Sequence, residues 1–281
     1  MTDHANKRVL DIAVISDVHL GTYGCHAKEL LQYLKSIRPK TLILNGDIID
    51  IWQFNKKYWP KSHMKVVKYL LGMISKGMKV YYIPGNHDEM LRKFTGFKLG
   101  SFRIVNKVLL KTTDDKKIWA FHGDVFDVTM QHSKWLAKLG AAGYDLLILI
   151  NRVANFISEK VFKKEKLSLS KKIKNSVKSA VSFIGNFEKT AAAIGISNHY
   201  DYVVCGHIHQ PEIKTISNNV GSIVYLNSGD WVENLTALEM VDGNWSIYRY
   251  DKNDFEQGPE EEVLTNNQLF DQMVEEFNLL K

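Results

Sequence analysis

Five times along this chain a short apolar, β-branched run stops at a cluster of Asp, His or Asn. The clusters are Asp17-Val18-His19, Gly46-Asp47-Ile48-Ile49-Asp50, Gly85-Asn86-His87-Asp88, His122-Gly123-Asp124 and Gly206-His207-Ile208-His209. Such a run reads as a buried strand, and the polar cluster reads as a loop at its carboxyl end. Residues 9–16, 41–45 and 79–83 give the first three strands. Between them, residues 26–37, ended by Pro39, and residues 66–75, closed by Gly77, have helical spacing. Strand, helix and strand in alternation require parallel pairing through crossovers, so the fold class is α/β in layers. Open sheets of that kind collect their ligands beyond the carboxyl ends of the strands, where these clusters fall.

Residues 108–111 and 117–121 read as a hairpin around Asp114-Asp115. From residue 130 to 196 the period changes. Apolar residues recur at helical spacing through Trp135, Leu139, Leu146, Ile150, Val153 and Phe156, then again at Ile173, Val177, Val181, Ile184 and Phe187. Helices placed between the fourth and fifth clusters predict an insertion over the site. Short strands return around Val203, Ile213, Ile223, Leu238 and Ile247, with turn signals at Asn218-Asn219, Val220-Gly221 and Asp242-Gly243. The expected organisation is a core of residues 1–129 and 197–250, a helical lid over 130–196, and an acidic tail over 251–281 holding one helix at 267–280.

The clusters supply Asp, His and Asn in the number that two neighbouring metal ions need. Carboxylate, imidazole and amide oxygen suit Mn, Fe, Zn or Ni, and a shared carboxylate can bridge two such ions. Two ions roughly 3.5–4 Å apart clamp the attacking and leaving oxygens of a phosphoryl displacement. The chemistry expected is therefore hydrolysis of a phosphate ester or anhydride.

The net charge of +6 is unevenly spread. Residues from 251 onward carry nine acids against Lys252 and Lys281, whereas residues 130–190 carry twelve basic residues against four acids. A local +8 attracts nucleotide, nucleic acid or an anionic membrane face, although a solvated helical surface would look the same. No apolar run approaches a membrane span, and the polar start of the chain has no signal-peptide core. The two cysteines, Cys25 and Cys205, suggest no disulfide framework, and Cys205 ends an apolar strand as a small buried residue would. A cytoplasmic protein is expected.

In their order and spacing the five clusters resemble those of the calcineurin-like metallophosphoesterases, over about residues 9 to 231. The resemblance implies a four-layer α/β/β/α sandwich with two central mixed sheets. It implies that Asp17, His19 and His209 hold one metal, that Asn86, His122 and His207 hold the other, and that Asp47 bridges them. His87 would face the phosphate, stabilise developing charge and protonate the leaving oxygen, with Asp50 orienting it. Asp50 and Asp88 have an alternative reading as helix caps. In Asn227-Ser228-Gly229-Asp230-Trp231, either Asn227 or Asp230 could steady a ligand histidine, or the segment could be a plain turn. His132 and Asp127 lie between the fourth cluster and the insertion, within reach of substrate. His63 and His199 read as surface or helix histidines, and His26 sits near the first cluster.

The stretches SDVHLGTYGCHAKELLQYLK, NGDIIDIWQF, YYIPGNHDEML, FHGDVFDV and VVCGHIHQPEI are similar to the UDP-2,3-diacylglucosamine pyrophosphatase group. That group cleaves a nucleotide-sugar pyrophosphate in lipid A synthesis and carries a helical insertion that covers acyl chains. The likeness implies two divalent ions, Mn2+ by preference with Fe, Zn, Co and Ni open, and a nucleotide-sugar lipid as partner at the inner membrane face. One departure stands out: the group typically has Arg after the Asn of the third cluster, where this chain has His87. A phosphodiesterase acting on nucleic acid or a cyclic nucleotide is the second reading. A non-catalytic scaffold is the third, which a missing ligand would favour, and none is missing.

Overall fold

The computed structural model describes residues 7–52, 58–126, 184–255 and 266–279. β1 (Arg8–Ile15), β2 (Ile37–Asn45), β3 (Lys79–Ile83) and β5 (Phe102–Ile104) pair in parallel in that order. β4 (Lys98–Leu99) closes one side, and β11 (Thr236–Val241) with β12 (Asn244–Arg249) closes the other, all three antiparallel. The second sheet runs β6 (Val108–Lys111), β7 (Lys117–Ala120), β8 (Tyr202–Cys205), β10 (Ser222–Asn227) and β9 (Glu212–Ser217), with β7, β8 and β10 parallel. Both sheets are therefore mixed, and every expected cluster follows a parallel strand.

The period-two alternation decides the layers. Ile12 and Val14 of β1 meet Ile118, Val204 and Leu226 of the smaller sheet in one apolar cluster between the sheets. Ala13 and Ile15 point the other way, toward α1 (Ala27–Ser36) and α2 (Lys61–Ser75). On the far face of the smaller sheet, Trp119, Val203 and Cys205 pack against Phe187, Ala191, Ala192, Ile194 and Ile196 of the helical residues 184–197. The result is helix, sheet, sheet, helix. Residues 184–197, the end of the stretch read as a lid, thus form the fourth layer of the sandwich. The remainder of that stretch lies outside the described residues, as do Asp127 and His132.

The C-terminal helix (Asn266–Asn278) lies along α2, with Leu269 buried, Lys68 bonded to Gln272 and Ser75 bonded to Glu276. Cys205 is a free, fully buried thiol. Among the described residues no helix is long and apolar enough to cross a membrane.

Two boundaries differ from the sequence reading: α2 begins at Lys61 rather than at residue 66, and β2 begins at Ile37 rather than at residue 41. Pro39 does not stop a helix at a loop, because α1 ends at Ser36 and β2 has begun at Ile37. Proline survives in this inner strand because Pro39 pairs with Leu10 of β1, whereas β3 joins β2 only from Thr41 onward. At Pro39 the strand is locally an edge, so its missing N–H costs no ladder bond.

Candidate metal centre

The first two clusters continue their strands as a paired ribbon. The backbone N–H of Asp17 donates to the Gly46 carbonyl at 3.0 Å, those of Val18 and His19 to Asp47, and that of Leu20 to Ile48. Alternation then sorts the side chains, with Val18, Leu20 and Ile48 in the core under the helices and Asp17, His19 and Asp47 on the opposite side. Holding them there strains the backbone. Asp17, His19, Asp47, His207 and His209 all have φ between 53° and 69°, the left-handed region that non-glycine residues rarely enter. Two glycines are required by crowding. A Cβ on Gly46, itself at φ +84°, would stand 2.2 Å from His122 Nδ1, and one on Gly85 would stand 2.2 Å from Asp47 Oδ1.

Three groups of side chains bring single ligand atoms within 4.8 Å of one another: Asp17, His19 and His209; Asp47, His122 and His207; and His19, Asp50 and His87. The two deep carboxylates are held by backbone on one oxygen only. His207 N donates to Asp17 Oδ2 at 3.0 Å, and His87 N donates to Asp47 Oδ1 at 2.8 Å. Their other oxygens lie 3.2 Å from His209 Nε2 and 3.3 Å from His122 Nε2. Asn86 sits between Gly85 and His87, both of which touch Asp47.

Four buried atoms here have no hydrogen-bond partner: Asp17 Oδ1, His19 Nε2, Asn86 Oδ1 and His122 Nε2. Each has a lone pair to offer, and buried polar atoms are normally satisfied. A cation or pair of cations among these atoms would satisfy them, so the donor set fits divalent metals. His122 shows how the lone pair is aimed. Its Nδ1 lies 2.8 Å from the Asn45 carbonyl, which can only accept, so Nδ1 carries a proton and Nε2 is the nitrogen that faces Asp47 and any cation beside it.

The electrostatics follow the same layout. Burial acts to raise the pKa of Asp47, yet the adjacent His122 holds it well below the usual carboxylate range. Burial likewise opposes ionisation of Asp17, and His209 and His122 outweigh it. Burial opposes a charge on His122, but Asp47 beside it raises its pKa well above an ordinary imidazole. His19 goes the other way, lowered chiefly by burial.

Around this centre the second and third loops are laced together. Asp50 Oδ2 accepts from His87 Nδ1 at 2.8 Å and lies 3.4 Å from His19 Nδ1. Ile51 N donates to the His87 carbonyl at 3.1 Å. Asp88 stands at the start of the helical turn Glu89–Phe94, but its side chain bonds none of that turn's N–H groups: it accepts from Gly85 N, Ile48 N and the Tyr82 hydroxyl. Burial, with Asp47 nearby, pushes its pKa up to about 6. Asn227 donates to the Gly206 carbonyl at 2.9 Å and so steadies the loop that carries His207 and His209. Asp230 gathers the backbone N–H groups of Val232, Glu233 and Asn234, and Asn234 in turn donates to the His209 carbonyl at 3.0 Å. His26 and His199 are exposed, and His26 pairs only loosely with Glu29 at 3.7 Å.

The sequence pattern singles out neither Trp52 nor Arg92, and it reads His63 as a surface or helix histidine. Trp52, 63 % exposed, donates its indole N–H to the Asn86 carbonyl at 2.8 Å; its place in NGDIIDIWQF was the available signal. His63 is a helix histidine but a buried one, accepting the Gly21 N–H on Nδ1 at 2.9 Å two residues beyond His19. Arg92 reaches both oxygens of Asp124 at 2.9 and 2.7 Å, with both side chains buried. Asp124 belongs to a cluster, but nothing in a sequence marks its partner.

Two facing mixed sheets with carboxylates and imidazoles gathered at their carboxyl ends define a metal-dependent hydrolytic enzyme. Residues 10–211 match the Calcineurin-like phosphoesterase family, and the chain belongs to that family. It is similar to the UDP-2,3-diacylglucosamine hydrolase of Blochmanniella pennsylvanica (strain BPEN), 26 % identical over 85 % of this chain and 95 % of that protein. A protein of the same name from Aliivibrio fischeri (strain MJ11) is 23 % identical over 85 % of this chain and 98 % of its own length. One from Shewanella baltica (strain OS185) is 27 % identical over 71 % and 79 %.

Proposed function

We propose that this phosphoesterase hydrolyses the pyrophosphate of UDP-2,3-diacylglucosamine, giving UMP and the acylated sugar 1-phosphate. Four buried ligand atoms without a hydrogen-bond partner, in loops whose carboxylates and imidazoles gather in groups within 4.8 Å, support the phosphoryl chemistry. The substrate rests on the names of relatives that align along nearly their whole length. Asp17, His19 and His209 would hold one divalent ion, Asn86, His122 and His207 a second, and Asp47 both, with Mn2+ the preferred metal. Such ions supply a water acidified toward neutral pH and positive charge on the phosphoryl oxygens.

The chain's own contribution is proton control and placement. Asp50 accepts a hydrogen bond from His87 Nδ1, which fixes the ring. Nε2 is then the atom that donates to a phosphoryl or leaving oxygen as charge builds there. An arginine at this position would offer only a permanent charge, whereas His87 can both give and take a proton. The lacing of Asp50, Ile51 and Trp52 onto residues 86 and 87 keeps that donor in register with the ligand loops.

The test is phosphorus NMR of UDP-2,3-diacylglucosamine incubated with Mn2+-loaded protein, with bis(p-nitrophenyl) phosphate as a parallel substrate. UMP and sugar phosphate formed faster than p-nitrophenol support the reading. Turnover of the diester alone would refute the substrate and favour a phosphodiesterase with another natural ester.

A further inference from the structure

Just beyond the third ligand loop, starting six residues after His87, the chain turns back on itself with the sequence Lys93-Phe94-Thr95-Gly96-Phe97-Lys98. All six residues are exposed, Phe94 to 57 % and Phe97 to 47 %. Two phenylalanine rings left in water on one short turn cost free energy unless something covers them, and such a patch marks a contact surface. Met90, three residues past His87, is exposed on the same segment.

The turn is firmly built. Thr95 donates its N–H and its hydroxyl to the Arg92 carbonyl at 3.1 and 2.7 Å, and Phe97 N donates to the Phe94 carbonyl at 2.9 Å. Gly96 N donates to Ile104 and Ile104 N to Phe97, which joins the turn to β5. Beneath it Arg92 is buried against Asp124. Gly96, at φ +95° with open space where a Cβ would go, serves the bend rather than any packing contact. Rings held out on so fixed a base lose little conformational freedom when they are covered.

Charge decides what covers them. From Met90 to Lys107 the sequence holds no acid but does hold Lys93, Lys98, Arg103 and Lys107, and Lys111 beyond it is bonded to Asp115. Lys98 and Arg103 are cross-strand partners on the β4–β5 hairpin, the outer edge of the larger sheet. An apolar tip inside a basic collar matches the headgroup boundary of an anionic bilayer: rings enter the acyl margin while lysine stems keep their ammonium groups at phosphate level. A polyanion without apolar or aromatic surface, such as polyphosphate, would use the lysines and leave both rings in water.

We infer that residues 93–98 form a docking tip for an anionic lipid bilayer, seated beside the ligand loops so that they face the membrane surface. That the tip presents the centre to an acylated substrate rests on the reading under Proposed function; the docking itself does not.

The experiment is co-sedimentation of the full-length protein with phosphatidylcholine vesicles, with and without phosphatidylglycerol. The variants are Phe94→Ser/Phe97→Ser and Lys93→Glu/Lys98→Glu, with bis(p-nitrophenyl) phosphate hydrolysis and the circular-dichroism melt as controls for folding. Expected is binding only with phosphatidylglycerol, weakened at least about tenfold by the phenylalanine pair. The lysine pair should weaken it by a similar factor or more, since each lysine near such a surface contributes about fivefold. Diester hydrolysis should be unchanged in both. The proposal is overturned if the wild-type protein ignores anionic vesicles, if the serine variant binds as well as wild type, or if the same substitutions instead abolish self-association on gel filtration. Loss of vesicle binding in a protein that never cleaves the nucleotide lipid would sink the substrate and leave the docking tip standing.

Discussion

The chain buries two polar clusters a few residues apart and completes them in opposite ways. At the base of the turn after the third ligand loop, Arg92 and Asp124 answer one another: a guanidinium nitrogen reaches both carboxylate oxygens, and both side chains are buried. At the centre, Asp17 and Asp47 have one oxygen each on a backbone N–H, while Asp17 Oδ1, His19 Nε2, Asn86 Oδ1 and His122 Nε2 find no hydrogen bond. In the first cluster the carboxylate has its counter-charge within the protein, and the pair belongs to stability. The second is positioned by the protein and finished by something brought to it, with left-handed backbone at five of its residues. Burial alone therefore does not distinguish structure from function; what differs between these two clusters is that both Asp124 oxygens are bonded to a counter-charge and Asp17 Oδ1 is not.

The sharpest way to break that contrast is at Asp47. Asp47→Ala should reduce diester hydrolysis by about 10³-fold or more, and it should also abolish any rise in melting temperature that Mn2+ gives the wild-type protein. Activity within tenfold of wild type would mean that the carboxylate has no part in the centre. Arg92→Met is expected to do the reverse. It strands a buried Asp124, which typically costs about 3–5 kcal/mol, while the Mn2+-dependent rise in melting temperature persists in the protein that remains folded. The double variant Arg92→Met/Asp124→Leu should recover most of the loss, read by urea unfolding. A double variant no more stable than the single one would show that the pair does more than satisfy itself.

His87 stands between these two cases, since it is laced into the loops yet half open. His87→Ala should lower kcat by about 10²-fold, within the range general acids contribute, while bound metal measured by elemental analysis stays near the wild-type amount. Equal loss of metal and turnover would make His87 a part of the scaffold. A second sharpening is Trp52→Phe, which keeps an aromatic side chain but loses the indole N–H that donates to the Asn86 carbonyl. A fall in kcat of a few-fold at unchanged KM would show that the bond acts by fixing Asn86.

The sequence discloses the centre better than its support. Strand alternation and the abrupt polar clusters placed Asp17, Asp47, His122 and His207 at strand ends, and residues 79–83 and the Asp242-Gly243 turn, both residues at positive φ, appear where the pattern puts them. Periodicity is local, so a local pattern suffices for these. What it misses depends on contacts made far along the chain. Pro39 reads as a break because its tolerance depends on where β3 begins to pair. Arg92 reads as one more surface base because only the fold brings Asp124, 32 residues on, beneath it. The partner that turns His63 from a helix histidine into a clamp is a backbone N–H, which no composition or spacing could mark.

His63 also supplies the smallest and most selective test, because it extends the contrast to a single proton. Its Nδ1 accepts from Gly21, so the folded protein needs the neutral ring, and burial lowers the pKa below the ordinary 6.5. Between the lowered value and 6.5 the unfolded chain holds more protons than the folded one. Stability from this residue is therefore complete above about pH 6.5 and is lost as pH falls through the lowered pKa. Asparagine can accept the same N–H without titrating, so His63→Asn should flatten the acid limb of stability while leaving the neutral value nearly unchanged. Urea unfolding of both proteins between about pH 5 and 7.5 reads the difference. Parallel slopes would mean that the ring stays neutral for some reason other than the Gly21 bond. A flattened slope with unchanged diester hydrolysis would place His63 with Arg92, among the groups that the protein completes for itself.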